Sequence, residues 1–254
     1  MKLISLNTWG GRLHEQIDEF IKGYASTTDI FCFQEVYANG TKEADADTGE
    51  RPNFFKELQD MLPSFTGVFA EQVTGTGLAT FVRDSLEIES SDSFLLLSCE
   101  ELNHLQMSNG IHHYPRIVQM VCLKNPHIAI YNFHGVPGND KKDTTERELQ
   151  LKRLQEALAK SDGEKVLVGD FNLRPDTDAI RSLEGNMKNL VIEGGFKTTR
   201  TKYYDKKVTM PFADYTFVTY GIKVNRFEVL PDEASDHLPM FLDVENKLLE
   251  YSGN

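Results

Sequence analysis

The chain has 254 residues, 40% of them hydrophobic, which suits one large or two small globular domains and excludes a disordered or fibrous protein. Its 27 Lys and Arg against 39 Asp and Glu leave a net charge of −12, which argues against a protein that coats DNA regardless of sequence but admits an enzyme that recruits divalent cations. The longest apolar run, Phe94 to Leu97, is far short of the ~20 residues of a membrane-spanning helix, and the N-terminus turns polar at Asn7, too soon for a signal peptide. A cytoplasmic location is therefore expected.

In chain order, β-branched and aromatic residues predict nine strands, over residues 3–9, 30–36, 78–82, 116–123, 127–134, 166–171, 215–219, 223–230 and 240–244. Helical patterns lie between them at 16–24, 53–61, 143–161 and 178–183. Asp143 and Glu146 have capping-box spacing, and Leu151, Leu154 and Leu158 share one helical face. Residues 38–51, 84–115 and 197–211 read as loops; the last carries Lys197, Arg200, Lys202, Lys206 and Lys207 in an otherwise acidic chain. No linker, composition break or repeat divides the sequence, so a single α/β domain over 1–254 is expected. Cys32, Cys99 and Cys122 are odd in number and far apart, which argues against a disulfide framework and a paired-cysteine zinc site. Cys32 and Cys122 lie in apolar runs and are expected to be buried thiols.

Polar residues collect where apolar strands end: Asn7, Glu35, His134, and Asp170 with Asn172. A carboxylate or amide at the mouth of a buried strand is costly unless paired or cation-bound, so several such ends suggest one shared polar site. In Asp170-Phe171-Asn172 an extended chain would turn the carboxylate and the amide to one side and Phe171 to the other. Gly169 allows a close approach, and Leu173-Arg174-Pro175 turns the chain afterwards. Ser235-Asp236-His237 sets a carboxylate beside an imidazole, with Asp214 opening the preceding predicted strand. No Gly-x-Ser-x-Gly nucleophile motif is present. Hard oxygen donors of this kind suit Mg²⁺, Mn²⁺ or Ca²⁺ better than zinc, and their usual chemistry is attack of activated water on a phosphorus ester.

The ordered series Leu6-Asn7-Thr8-Trp9, Gln34-Glu35-Val36, Asn132-Phe133-His134, Gly169-Asp170-Phe171-Asn172, Asp214-Tyr215 and Ser235-Asp236-His237-Leu238-Pro239 resembles the motifs of the endonuclease/exonuclease/phosphatase superfamily, across residues 3–239. The resemblance implies a four-layer sandwich of the deoxyribonuclease I type: two packed mixed β-sheets flanked by helices. It implies metal ligation by Glu35 with Asn7, completed by Asp236. It casts Asp170 as the residue that orients or deprotonates water, Asn172 as the amide that holds a phosphate oxygen, and His237, supported by Asp214, as the imidazole at the scissile phosphate. His134 resembles the second histidine of the deoxyribonuclease I and sphingomyelinase branches. Arg116 matches a phosphate-contacting arginine of some relatives, and Glu71 is the candidate to orient His134.

The expected activity is therefore Mg²⁺- or Mn²⁺-dependent hydrolysis of a phosphate ester, with Ca²⁺ also admissible, by a monomer. Nucleic acid is the leading substrate and a small-molecule or lipid-headgroup ester the alternative. A catalytically dead scaffold is disfavoured because every motif position holds a competent residue. His104, His112 and His113 match no motif and are expected to be surface residues.

Overall fold

The computed structural model describes residues 1–39, 49–102, 114–138, 140–206 and 209–245. His104, His112, His113 and Lys207 lie outside the described residues.

Two mixed six-stranded sheets form the framework. The first contains β1 (Lys2–Asn7), β2 (Ile30–Tyr37), β3 (Phe65–Val73), β4 (Thr76–Arg83), β11 (Val224–Val229) and β12 (Met240–Val244), in the order β11-β12-β1-β2-β4-β3. The second contains β5 (Ile88–Leu97), β6 (Arg116–Leu123), β7 (Ile128–His134), β8 (Glu164–Asp170), β9 (Met187–Asn189) and β10 (Asp214–Thr219), in the order β5-β6-β7-β8-β10-β9. Each sheet has one parallel pair near its centre, β1 with β2 and β7 with β8. Helices α1 (His14–Ala25) and α2 (Phe54–Met61) cover the first sheet; α4 (Thr145–Leu158) and α5 (Asp178–Glu184) cover the second. Two single-turn helices, α3 (Cys99–Leu102) and α6 (Leu190–Glu193), and a 3₁₀ turn at Trp9–Gly11 complete the described set.

Side chains alternate across a strand, and here both faces are covered, so the central strands are buried throughout. Leu3, Cys32, Ile130, Val166, Val168 and Val218 meet between the sheets. Ile4, Leu6, Phe31 and Phe33 face α1 and α2, while Tyr131, Phe133, Leu167, Tyr215 and Phe217 face α4 and α5. Following the inner row toward one end of the sandwich, the apolar residues give way to buried polar ones. Gln34 Nε2 donates to Asn132 Oδ1 at 2.7 Å, Asn132 Nδ2 donates to the Phe33 carbonyl at 3.0 Å, and Thr80 Oγ1 donates to Gln119 Oε1 at 2.7 Å. One or two residues further along β2 and β7 stand Glu35 and His134, and beside them, at the ends of β1 and β8, Asn7 and Asp170. The polar layer is thus the transition between a dry core and a wet cleft.

The structure corrects several expectations. The region 84–115 holds β5 and α3, and β3 was absent from the predicted strands. Both β3 and β5 are edge strands, and β5 exposes most of its length, from Glu89 through Ser93, so neither has a clean alternating pattern. The N-cap of α4 is Thr144, whose hydroxyl accepts from Arg147 N. Asp143 instead accepts from Asp178 N at 2.8 Å and Ala179 N at 3.0 Å, tying the start of α5 to the chain before α4. All three cysteines are free; Cys32 is buried with its thiol pushed up to about 12 by that burial, Cys122 is half-buried and Cys99 is exposed. Among the described residues no helix is long and apolar enough to cross a membrane.

The inter-sheet polar layer yields a stability prediction. Asn132→Ala removes the shortest acceptor of the Gln34 amide, leaving it Ser5 Oγ and the Cys32 carbonyl at 3.4 Å, and is expected to cost about 1–3 kcal/mol in urea unfolding, with the denaturant slope unchanged.

Candidate active site

The cleft is built where the parallel pairs end. Asn7 is paired with Gln34 and His134 with Asp170 in the parallel registers, and Asp214 faces Asp170 across the antiparallel β8–β10 pair. The carboxyl ends of four strands and the start of a fifth thereby converge, the usual place for a site in an open α/β sheet. The cleft encloses about 410 Å³.

Local backbone irregularities aim the side chains. A register shift between Phe33 and Val36 interrupts the β2–β4 ladder, and Glu35 sits in it with φ +56. Such a bulge redirects a side chain that the regular pleat would send elsewhere. Asn172 (φ +53) and Lys141 (φ +52) are also left-handed without being glycine, a strained geometry that clusters at functional sites. Gly169 is required by packing, because a Cβ there would lie 1.9 Å from the Phe133 carbonyl oxygen. The strand ends at Asp170, so Asp170 and Asn172 are not side by side on an extended chain as the sequence suggests. Instead the Asn172 N–H donates to Asp170 Oδ1 at 2.8 Å, and the Asn172 side chain donates to the Gly135 carbonyl at 3.4 Å.

Asp170 is the hub. Its carboxylate is 2% exposed and accepts from Asn7 Nδ2 at 3.1 Å, while the same amide nitrogen donates to Glu35 Oε1 at 2.9 Å. His134 Nε2 lies 3.7 Å from Glu35 Oε1 and 3.8 Å from Asp170 Oδ2. From the other side His237 Nε2 lies 3.6 Å from Asp170 Oδ2. His237 Nδ1 is held by both Asp214 oxygens, at 2.8 and 2.9 Å, which fixes its ring and leaves Nε2 toward the cleft. Arg200 Nη1 contacts His237 Nε2 and lies 3.3 Å from Asp236 Oδ2.

The environment sets the charges. Burial pushes Asp170 up, but His237, Lys141, Arg200 and His134 outweigh it and hold the carboxyl well below its usual range. Burial raises Glu35, and the Asn7 hydrogen bond only partly opposes it. His134 is pushed down to about 3, by burial first and then by Arg116, so its ring is neutral at pH 7. Burial and Arg200 depress His237, yet Asp214, Asp236 and Asp170 prevail and raise it.

Glu35, His134 and Asp170 present ligand atoms within 4.8 Å of one another, as do Asp170, Asp214 and His237. The second group is better described as a hydrogen-bonded Asp–His pair, since Asp214 spends both oxygens on His237. The first fits a divalent cation: two carboxylates and a neutral imidazole face each other, and burial disfavours leaving Glu35 charged and uncompensated. Asn7 bridges the two carboxylates through its amide nitrogen, while its Oδ1 accepts from Trp9 N at 3.0 Å. Asp236 stands on the His237 side of the cleft, engaged by Arg200.

Of the remaining expected residues, Arg116 lines the cleft at 4% exposure, and its Nε is buried with no hydrogen-bond partner among the described residues. Glu71 is not beside His134: it is exposed on edge strand β3 and accepts from Gly75 N at 2.8 Å, closing the β3–β4 turn. Two residues escaped the sequence reading. Arg200 sits in a segment read as a surface loop, but its backbone bridges to His237 and carries the guanidinium into the cleft. Lys141 lies in a connection without any motif, and its Nζ donates to Asn172 Oδ1 at 3.3 Å. The basic character of 197–211 was the one available signal for Arg200; nothing marked Lys141.

The chain belongs to the endonuclease/exonuclease/phosphatase family, whose model matches residues 4–237. It is therefore a phosphoric ester hydrolase. Solved structures share its fold at low identity. A mannosyl-6-phosphatase from Bacteroides thetaiotaomicron VPI-5482 has a TM-score of 0.71 at 18% identity, covering 96% of this chain and 99% of its own. A family protein from Bacteroides thetaiotaomicron has a TM-score of 0.72 at 17% identity, covering 100% of this chain and 98% of its own. D. rerio TDP2 complexed with a single-strand DNA product has a TM-score of 0.68 at 17% identity, covering 96% of this chain and 98% of its own. No curated protein matches the sequence.

Lys141 gives a pH prediction. Burial, followed by Arg200, lowers its ammonium from the ordinary 10.5 to about 8. Between these values the unfolded chain holds a proton the folded chain has lost, so this lysine makes stability rise with pH across that window. Thermal unfolding of Lys141→Met is expected to lack this increment when compared with the parent chain.

Proposed function

We propose that residues 1–254 form one catalytic domain that hydrolyses phosphate esters by direct water attack with the help of a divalent cation, Mg²⁺ or Mn²⁺ being the best match to the donors. The observation that carries this reading is the continuous series Asp214–His237–Asp170–Asn7–Glu35, with every link between 2.8 and 3.6 Å. Glu35, Asp170 and His134 would hold the ion, with Asn7 setting the spacing of the carboxylates. The ion would supply charge neutralisation at a phosphate oxygen and a lowered pKa for nearby water.

The protein's own groups account for the rest. Asp170 stays ionised despite its burial, because His237, Lys141 and Arg200 hold its carboxyl down, and so can orient an attacking water. His237, aligned by Asp214, carries Nε2 into the cleft against Arg200 Nη1, so that imidazole and guanidinium would face the phosphate together, and the carboxylates around the ring raise its pKa as negative charge builds on phosphorus oxygens. Arg116 and the amide of Asn172 would bind non-bridging oxygens. Asp236 acts through Arg200, whose guanidinium it steadies beside His237.

Nucleic acid, the leading expectation from the sequence, finds support in the fold shared with D. rerio TDP2. The cleft favours a more compact ester. Of the basic segment, Arg200 and Lys206 line the cleft, while Lys202 turns away to pair with Glu233 and Lys197 is exposed. A few buried cations at the reacting phosphate, rather than a basic stripe, are what a small phosphate ester or a strand terminus needs.

EDTA is expected to abolish hydrolysis of a generic aryl phosphate, and Mg²⁺ or Mn²⁺ to restore it. Glu35→Gln and His237→Ala should each lower kcat by at least ~10²-fold, the scale of a lost catalytic or electrostatic contact. Full activity in either variant contradicts the assignment.

A further inference from the structure

Two buried cations in the cleft have no carboxylate within ion-pairing distance among the described residues. Arg116 is 4% exposed; Glu35 and Asp170 act on it only at longer range. Lys141 is 2% exposed, and the contacts of its ammonium are the neutral Asn172 Oδ1 and, at 5.5 Å, the ring of Tyr204; Asp170, Asp214 and Asp236 act on it only at longer range. A buried charge with no direct ion pair is compensated only at longer range, and a cleft that retains two of them suits an anion that both can face.

Lys141 is also held in place. Its carbonyl accepts from Arg174 N at 2.9 Å, and the buried Arg147 donates from Nε to the Val136 carbonyl and from Nη1 to the Lys142 carbonyl. Tyr204 packs under both Lys141 and Arg200, whose guanidinium carbon lies 4.1 Å from the ring centroid. A lysine on a strapped, left-handed backbone position is a built feature of the cleft and not a surface residue folded inward.

We propose that the cleft selects the dianionic terminal phosphate of a monoester over the monoanionic phosphate of a diester, with Lys141 and Arg116 as the pair of groups that read the second charge. A monoester phosphate carries a charge of about −1.5 to −2 at pH 7 and three non-bridging oxygens. A diester carries one charge and two such oxygens, leaving one of the two cations buried and unmatched. The inference rests on the hydrolytic site proposed above and adds its substrate class.

The test uses esters with one common leaving group, p-nitrophenyl phosphate and methyl p-nitrophenyl phosphate, with Mn²⁺, in the parent chain and in Lys141→Met and Arg116→Met. Binding of inorganic phosphate and dimethyl phosphate is measured by calorimetry with and without Mn²⁺. The monoester is expected to exceed the diester in kcat/KM by at least about 10-fold, and each variant to lose at least about 10-fold more on the monoester than on the diester, in line with one buried charge-assisted contact. Inorganic phosphate should bind at least about 10-fold more tightly than dimethyl phosphate, a margin that Lys141→Met narrows. Preference for the diester, or equal losses on both esters, overturns the inference and leaves phosphate ester hydrolysis standing. If neither ester is turned over, the hydrolytic reading fails on its own, and the two binding constants still decide the charge preference: equal affinities reject it.

Discussion

The structure of the cleft depends on keeping one buried carboxylate, that of Asp170, ionised. Removing it from water is expensive, and the expense is met from every side: the Asn7 amide, the Asn172 N–H, His237 at 3.6 Å and His134 at 3.8 Å. Each of those groups comes from a different segment. Placing them around one carboxylate requires the carboxyl ends of β1, β2, β7 and β8 and the start of β10 to arrive at the same depth. The two parallel pairs in the centres of the two sheets achieve this, because parallel neighbours end on the same side. The fold and the chemistry are in this sense one constraint: the inner face of the sandwich is apolar as far as Leu3, Cys32, Ile130 and Val168, passes through the amide layer of Gln34 and Asn132, and ends in ionisable groups.

That progression explains why much of the site was legible in the sequence. Asn7, Glu35, His134 and Asp170 each terminate a strongly apolar strand, and the two covered faces make those strands easy to recognise. The capping and edge features were less legible. Asp143 has the right spacing to cap its own helix, yet Thr144 does so and Asp143 caps α5 from a distance, a choice made by tertiary packing. Strands β3 and β5 lie at sheet edges, where polar residues protect against further pairing and erase the alternation that identifies a strand. Glu71 was misplaced for the same reason: without β3 its position relative to His134 could not be inferred. Arg200 and Lys141 enter from connections whose course is set only by contacts with Pro211, Asp236, Arg174 and Arg147, and no local periodicity encodes such a path.

The charge distribution resolves an apparent conflict between a net charge of −12 and an anionic substrate. Arg116, Lys141 and Arg200 are all under 5% exposed at the reacting centre, where they stand among the carboxylates of Glu35, Asp170, Asp214 and Asp236. Buried charges are weakly screened, so these three act strongly on a phosphate at short range, opposed by the four carboxylates around them. A cation held by Glu35, His134 and Asp170 would add to that attraction. Long-range steering of a polyanion is unfavourable in such a molecule, while short-range capture of a single phosphate group is favoured.

The most direct test of the account is the turnover number of Asp170→Asn, measured on a phosphate ester that the parent chain hydrolyses, together with cation titration and thermal unfolding of the variant. The substitution preserves shape and removes the one charge around which the surrounding groups are arranged. A fall in kcat of at least ~10²-fold in a folded protein is the predicted result. A variant that folds and retains near-parental turnover would show that the reaction does not run through this carboxylate.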